Sequence, residues 1–413
     1  MLQLFFATTA RMLSLAVTSL VPGRRGGRPS WRRVLVMLGF LPLFLLIQGI
    51  HWLGFLLDEI FFRGYRRVAI REPLFVLGVP RSGTTHLHRV LAQDEQFTTF
   101  STWECLFALS VTERHFWMAL ARLDRRIGAP LARLVDRLQS HAFAGLEQVH
   151  PMRLSDPEED YFALTPVLAC FILVLPFPQA GHVWRVGTFD RDMPPSQRKR
   201  LLDFYEACLK RHLFVHGRDK RLLSKNAAFA PLAGSLAERF PDARFITCLR
   251  PPDETLPSQL SSLRAGMDLF AVECVVPDFQ DRLLAQLAFY YENLQRVFFE
   301  LVPDRRVLVE MRSLGAGLAA TVEDAYEYLG IPLSPDFRAR LAQAQEKARR
   351  YRSAHRYDDE AIDAAAPLVA DRLDAIYRRF VFRPAPAPAT DLRPTQSSLP
   401  PADKERRERL SPC

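Results

Sequence analysis

The chain lacks several features that would place it in well-defined classes. Among its 413 residues there is no Cys-x-x-Cys pair and no Cys/His spacing of a metal site. Its six cysteines, Cys105, Cys170, Cys208, Cys248, Cys274 and Cys413, are scattered, several of them in apolar runs. That distribution excludes a disulfide framework and reads as reduced core thiols in a cytoplasmic setting. No small-residue cleavage site clearly follows an apolar segment near the start, which argues against a cleaved signal peptide. Acidic residues are outnumbered: Lys plus Arg exceed Asp plus Glu by 55 − 46 = 9, and arginine carries most of the excess. A basic balance suits an anionic cofactor, an anionic membrane surface or nucleic acid. The length suits one large domain or two ordinary ones.

What is present is organised around Leu74–Leu87. The apolar run Leu74-Phe75-Val76-Leu77 breaks at Gly78, and Val79, Pro80, Arg81, Ser82, Gly83, Thr84 and Thr85 lead into a helical pattern. Strand, glycine turn, hydroxyls and helix are the layout of an anion-binding loop. The first backbone N–H groups of a helix have no partner within it, and the helix dipole favours negative charge there. Arg81 adds a cation, and Thr84 and Thr85 add hydroxyl donors. The spacing is close to G-x-x-x-x-G-K-[ST], but Thr84 stands where that motif has lysine. That lysine normally reaches the β- and γ-phosphates of ATP, so its absence argues against an ordinary ATPase or GTPase. The bland reading is a strand-turn-helix that binds nothing.

Ahead of this loop the chain is apolar. Residues 1–22 carry only Arg11 as a charge, residues 23–33 are rich in Arg and Gly, and Val34–Phe62 is apolar almost throughout. Three readings stay open for 34–62: a spanning helix, an in-plane or re-entrant membrane helix, and a buried helix of a soluble fold. Trp52, Arg63, Arg66 and Arg67 suit an interface. Arginines at both ends leave orientation unset.

After the loop, His86–Ala92 reads as a helix and Phe97–Thr102 as a short β-prone run. Residues 106–146 carry helical periodicity. The polar stretch His150–Asp160 holds three consecutive acids, Glu158, Glu159 and Asp160, and 161–178 reads as a buried helix or a wall over the site. Residues 196–216 form an amphipathic helix. Strands are expected at Arg221–Asn226, Ala243–Leu249 and Val307–Glu310, and helices at Ala233–Arg239 and Thr321–Leu329. Strands alternating with helices give an α/β chain: a P-loop-type three-layer fold with a mostly parallel sheet, preceded by an N-terminal hydrophobic helical segment. The divisions are a hydrophobic, basic, membrane-associated segment over 1–70, a catalytic domain over 71–383, and a disordered tail over 384–413, rich in Pro, Ala, Ser and charge. Ligands of such sheets bind beyond the carboxyl ends of strands, where the loop, Lys225 and Arg250 can converge.

Taken together, these residues resemble the sulfotransferase family that uses 3′-phosphoadenosine-5′-phosphosulfate (PAPS), over roughly residues 70–360. Pro80–Thr85, PRSGTT, resembles the family's 5′-phosphosulfate loop. Its Arg81, where cytosolic members carry Lys, is similar to the tyrosylprotein and many bacterial branches. Arg250, followed eight residues later by Ser258 and preceded by Phe240-Pro241-Asp242-Ala243-Arg244-Phe245, resembles the 3′-phosphate site. Lys225-Asn226 matches a strand-end lysine. The segment around Glu310 and the run Tyr328–Pro332 also look familial. The resemblance implies that Arg81, Ser82, Gly83, Thr84 and Thr85 hold the 5′-phosphosulfate and that Arg250 and Ser258 grip the 3′-phosphate. Arg81 and Lys225 would stabilise the leaving phosphate, and no metal takes part. Three residues compete as the base for an acceptor hydroxyl: Glu104, 23 residues after Arg81 as in tyrosylprotein-type relatives, Glu159 in the acidic run, and His150 by analogy with cytosolic members. Several of these residues have plainer readings: Glu104 as a surface acid, the acidic run as a helix cap, Lys225 as a solvated strand end, Arg250 in an ion pair with Asp253 or Glu254. The cluster Lys347, Arg349, Arg350, Arg352 and Arg356 is either a nucleotide contact or a solvated helix face.

The leading expectation is thus a sulfotransferase acting on a hydroxyl-bearing, lipid-like or other hydrophobic small acceptor. It is membrane-associated through 34–62, with its catalytic domain on the cytoplasmic side and no nucleic-acid partner. The alternatives are a P-loop kinase-like phosphotransferase and a non-catalytic, membrane-anchored nucleotide-binding protein.

Overall fold

The computed structural model describes residues 2–20, 31–142, 153–276, 278–350, 373 and 375–378. His150 and the 384–413 tail lie outside the described residues, as do Arg352 and Arg356.

Five strands, β1 (Leu74–Gly78), β2 (Phe97–Thr98), β3 (Arg221–Asn226), β4 (Arg244–Leu249) and β5 (Arg306–Glu310), pair in the order β2-β3-β1-β4-β5. Every pairing is parallel. β1 is central and all five of its residues are buried, as expected for a strand covered on both faces. Alternation along the strands sorts their side chains into two cores. Phe75, Leu77, Leu222, Phe245 and Leu249 join the larger one. Leu74, Val76, Leu223, Ile246 and Val309 join the smaller one, which the helices Thr84–Leu91, Met311–Tyr328 and Pro335–Arg350 cover with Leu87, Leu318 and Leu341 among others. The result is the expected three-layer α/β arrangement.

The larger core is closed by the helices Pro195–His216 and Phe279–Glu300 and by the inner face of the long apolar helix Trp31–Phe61. Pro195 begins its helix at the first turn, where a missing N–H costs nothing. The 161–178 run is part of this core, not a single helix. It forms two short 3-10 turns, Asp160–Val167 and Phe171–Val174, because Pro166, Pro176 and Pro178 deny it a continuous hydrogen-bond ladder. The 106–146 periodicity resolves into the helices Thr102–Phe107, Val111–Arg126 and Pro130–Ala142. The β-prone run after Phe97 keeps only two strand residues, and the helices Pro252–Leu269 and Phe279–Glu300 were not among those expected. Cys105, Cys170, Cys208 and Cys248 are buried free thiols, as expected.

Candidate active site

The carboxyl ends of β1, β3 and β4 lie side by side, with Leu77 opposite Asn226 and Gly78 opposite Cys248. Glycine at 78 is a matter of space: a Cβ there would sit 2.4 Å from the Cys248 carbonyl oxygen and 2.8 Å from Ser82 Oγ. The loop then turns with Arg81 at φ 66° and Gly83 at φ 85°. A positive φ at a non-glycine residue is held only where the surroundings enforce it, and such residues cluster at functional sites. Ser82 is fully buried and donates to the Val79 carbonyl at 2.7 Å, which closes the turn. The helix Thr84–Leu91 starts directly behind, so its first N–H groups crown the loop.

The two ends of the expected nucleotide site meet. Arg81 Nε donates to Ser258 Oγ at 3.0 Å, and Arg250 Nη1 donates to the Arg81 carbonyl at 3.3 Å. Arg250 is buried at the β4 end; its Nε also donates to Glu254 Oε2 at 3.1 Å, and Glu254 Oε1 accepts from Arg312 at 2.7 Å. Burial works against charge on Glu254, but the two guanidiniums outweigh it and hold this carboxyl below its usual range. Of the two acids offered as plain partners for Arg250, Glu254 is thus the one engaged. Tyr291 OH donates to the Arg250 carbonyl at 2.7 Å and braces the turn, a support with no local sequence signal.

Lys225, on β3, is nearly fully buried and donates to Glu159 Oε1 at 2.6 Å, while the Glu159 side chain keeps 19% exposure. The acidic run is fastened to β3 next door. Asp160 accepts from Tyr205 OH at 2.5 Å, from Ser224 Oγ at 2.9 Å and from Asn226 Nδ2. Burial, offset in part by these donors, raises its carboxyl to about 6. Glu158 accepts from Thr102 Oγ1 at 3.3 Å, and burial raises it as well. Asp160 was legible only as one of three acids; its partners on β3 lie more than 60 residues away.

Glu104 is placed differently. It is buried, and Oε1 lies 2.9 Å from Arg114 Nε, 2.7 Å from His216 Nε2 and 3.5 Å from His212 Nδ1. Oε2 accepts from the Ser101 N–H at 3.0 Å and its hydroxyl at 2.8 Å. Burial opposes the charge on Glu104, yet His212, His216 and Arg114 hold its carboxyl well below the ordinary range. These partners belong to helix Val111–Arg126 and to the end of helix Pro195–His216, not to the loop. Lys347 and Arg349 are exposed on the helix Pro335–Arg350.

A buried lysine, two arginines, a helix start and hydroxyls thus gather at the carboxyl end of the sheet, a set of groups whose chemistry suits an anionic ligand, and one partly exposed carboxylate stands beside the lysine. The comparisons agree with that class. A family profile described as "Sulfotransferase family" matches residues 73–335. The chain therefore belongs to the sulfotransferase family, and it is a sulfotransferase. Two solved structures share the fold. The sulfotransferase STF1 from Mycobacterium tuberculosis H37Rv is similar with a TM-score of 0.65 at 19% identity, over 89% of this chain and 92% of that one. STF9 from Mycobacterium avium is similar with a TM-score of 0.67 at 16% identity, over 91% and 95%. A search of curated protein sequences finds no match.

Proposed function

We propose that the protein moves a sulfuryl group from PAPS to the hydroxyl of a hydrophobic small acceptor, and that it does so at a membrane, with its catalytic domain on the cytoplasmic side, where PAPS is expected. The loop N–H groups with Ser82, Gly83, Thr84 and Thr85 bind the 5′-phosphosulfate. Arg250 and Ser258 bind the 3′-phosphate, the group that separates PAPS from ATP. The acceptor oxygen attacks sulfur, the bond from sulfur to the 5′-phosphate oxygen breaks, and adenosine 3′,5′-bisphosphate leaves. Negative charge grows on that phosphate, and Arg81 and Lys225 stabilise it.

Of the two described acids, Glu159 fits the base better. The observation that carries this is the 2.6 Å pair between Lys225 and Glu159 beside the loop. A lysine drawn toward the leaving phosphate frees the carboxylate next to it to take the acceptor proton. Glu104 already spends both oxygens on four donors, and a carboxyl held well below its ordinary range is a poor general base. A screen of lipid, glycan and peptide acceptors with labelled PAPS tests the function. Transfer is expected to a hydroxyl acceptor and to fall by at least roughly a hundredfold in Lys225→Ala. Transfer that survives Lys225→Ala unchanged would contradict the assignment.

A further inference from the structure

The helix Trp31–Phe61 has two unlike faces. By length and composition it is apolar enough to cross a membrane. A spanning helix needs its polar groups satisfied inside the bilayer or kept out of it. Here Arg33, His51 and Asp58, at the start, middle and end of the helix, are satisfied by the rest of the domain, and Gln48 is turned into the protein, away from solvent. Arg33, near its start, donates to the carbonyls of Phe270 and of Pro176, the latter at 2.9 Å. His51 lies 2.7 Å from Glu113. Asp58, near its end, accepts from Arg211 at 2.8 Å and from the Val111 and Thr112 N–H groups at 2.9 and 2.8 Å. A helix held to one domain at both ends cannot also pass through a bilayer away from it.

The opposite face is apolar and bare. Leu35, Leu38, Leu46, Leu53, Leu56 and Ile60 are each more than half exposed and recur at helical spacing. From Leu35 to Ile60 the stripe runs about 37 Å at the usual helical rise, far longer than the scattered apolar residues of an ordinary surface. Exposed Arg32 stands at one end, and exposed Arg63 and Arg67 at the other. A second copy seated on this face would bring the same positive charges against them; an anionic lipid surface brings the opposite charge.

We infer that this face lies flat in the surface of an anionic bilayer, so that the protein is an in-plane, one-leaflet membrane enzyme and not a spanning one. The inference rests on the membrane-associated reading above and specifies its geometry. The apolar stripe enters the headgroup and acyl boundary, the arginines at its ends meet anionic headgroups, and the polar inner face keeps the catalytic domain fixed above the leaflet.

Flotation of the full chain with phosphatidylcholine vesicles, with and without phosphatidylglycerol, tests attachment. Binding is expected to rise at least roughly tenfold with the anionic lipid and to fall with salt. The double variant Leu46→Glu, Leu53→Glu alters only exposed positions. It is expected to lose flotation while keeping its melting temperature and its turnover of a water-soluble acceptor. Nitroxides placed at residues 38, 46 and 53, with the parent chain as background, read the geometry and are expected to report one shared shallow depth. A depth that peaks at residue 46 would overturn the in-plane geometry and leave membrane association standing. Absence of flotation with either vesicle would overturn both while leaving the sulfotransferase reading untouched. Self-association lost in the double variant, with no flotation of the parent, would make the face an interface between copies and overturn the inference.

Discussion

Glu104 and Glu159 are both acids that sequence reading offers as bases, and their surroundings separate them. Glu104 is an ionised hub joining the helix Thr102–Phe107 to Arg114, His212 and His216. Its folded carboxyl lies below the ordinary value, so the stability it contributes is present above the unfolded value of about 4.3 and is lost as pH falls toward the folded one. Glu104→Gln should therefore destabilise the fold by about 3–5 kcal/mol at pH 7, because Arg114 is left buried without its counter-charge. That deficit should shrink as pH is lowered through the carboxylate range, and denaturant unfolding at a series of pH values checks it. Glu159→Gln also strips the counter-charge from a buried cation, Lys225, so it too should lower the melting temperature, but unlike Glu104→Gln it should cut the turnover of the folded enzyme by roughly 10²–10⁴-fold. A stable Glu104→Gln enzyme with no turnover would exchange the two roles.

At the scale of elements, β1 and its loop were legible because the signal is local: four apolar residues, a glycine the neighbouring strand demands, and hydroxyls at a helix start. The requirement at Gly78 is steric, so Gly78→Ala should cost about 1–3 kcal/mol through forced separation of β1 and β4 and should weaken nucleotide binding as well. Thermal melts with and without adenosine 3′,5′-bisphosphate report both effects. The strands β3, β4 and β5 were legible for the same local reason. The 161–178 run was not resolved, since an apolar stretch reads alike as helix or wall until its prolines are weighed. The partners of Glu104 were out of reach, because His212 and His216 come more than 100 residues later and only the fold brings them in. The order of Arg81, Lys225, Arg250 and Ser258 along the chain indicated the site, but the contact of Arg81 with Ser258 depends on the parallel sheet.

At the scale of the whole molecule, the N-terminal segment is not an appendage. Met37, Leu41, Phe44, Trp52 and Phe55 belong to the larger core. Asp58 and Arg211 form a fully buried pair, and the Arg211 guanidinium lies 4.0 Å from the Tyr65 ring centre. Asp58→Ala should cost about 3–5 kcal/mol, since it leaves the buried Arg211 guanidinium only the longer 3.4 Å contact to Glu59 and removes the acceptor of the Val111 and Thr112 N–H groups. A chain beginning at residue 62 should lose its cooperative unfolding transition, which calorimetry would record. The segment that carries the apolar outer face therefore also completes the catalytic domain.

The central claim is that one ligand is held at two ends, its 5′ group by the loop and its 3′-phosphate by Arg250 and Ser258. Titration calorimetry of the parent and Arg250→Ala with adenosine 3′,5′-bisphosphate and with adenosine 5′-monophosphate tests this most directly. A charge-assisted contact contributes about 1.5–3 kcal/mol, so the parent should favour the bisphosphate by roughly 10- to 100-fold, and Arg250→Ala should bind the two ligands nearly alike. Equal binding of both by the parent, or full discrimination kept by Arg250→Ala, would contradict the account.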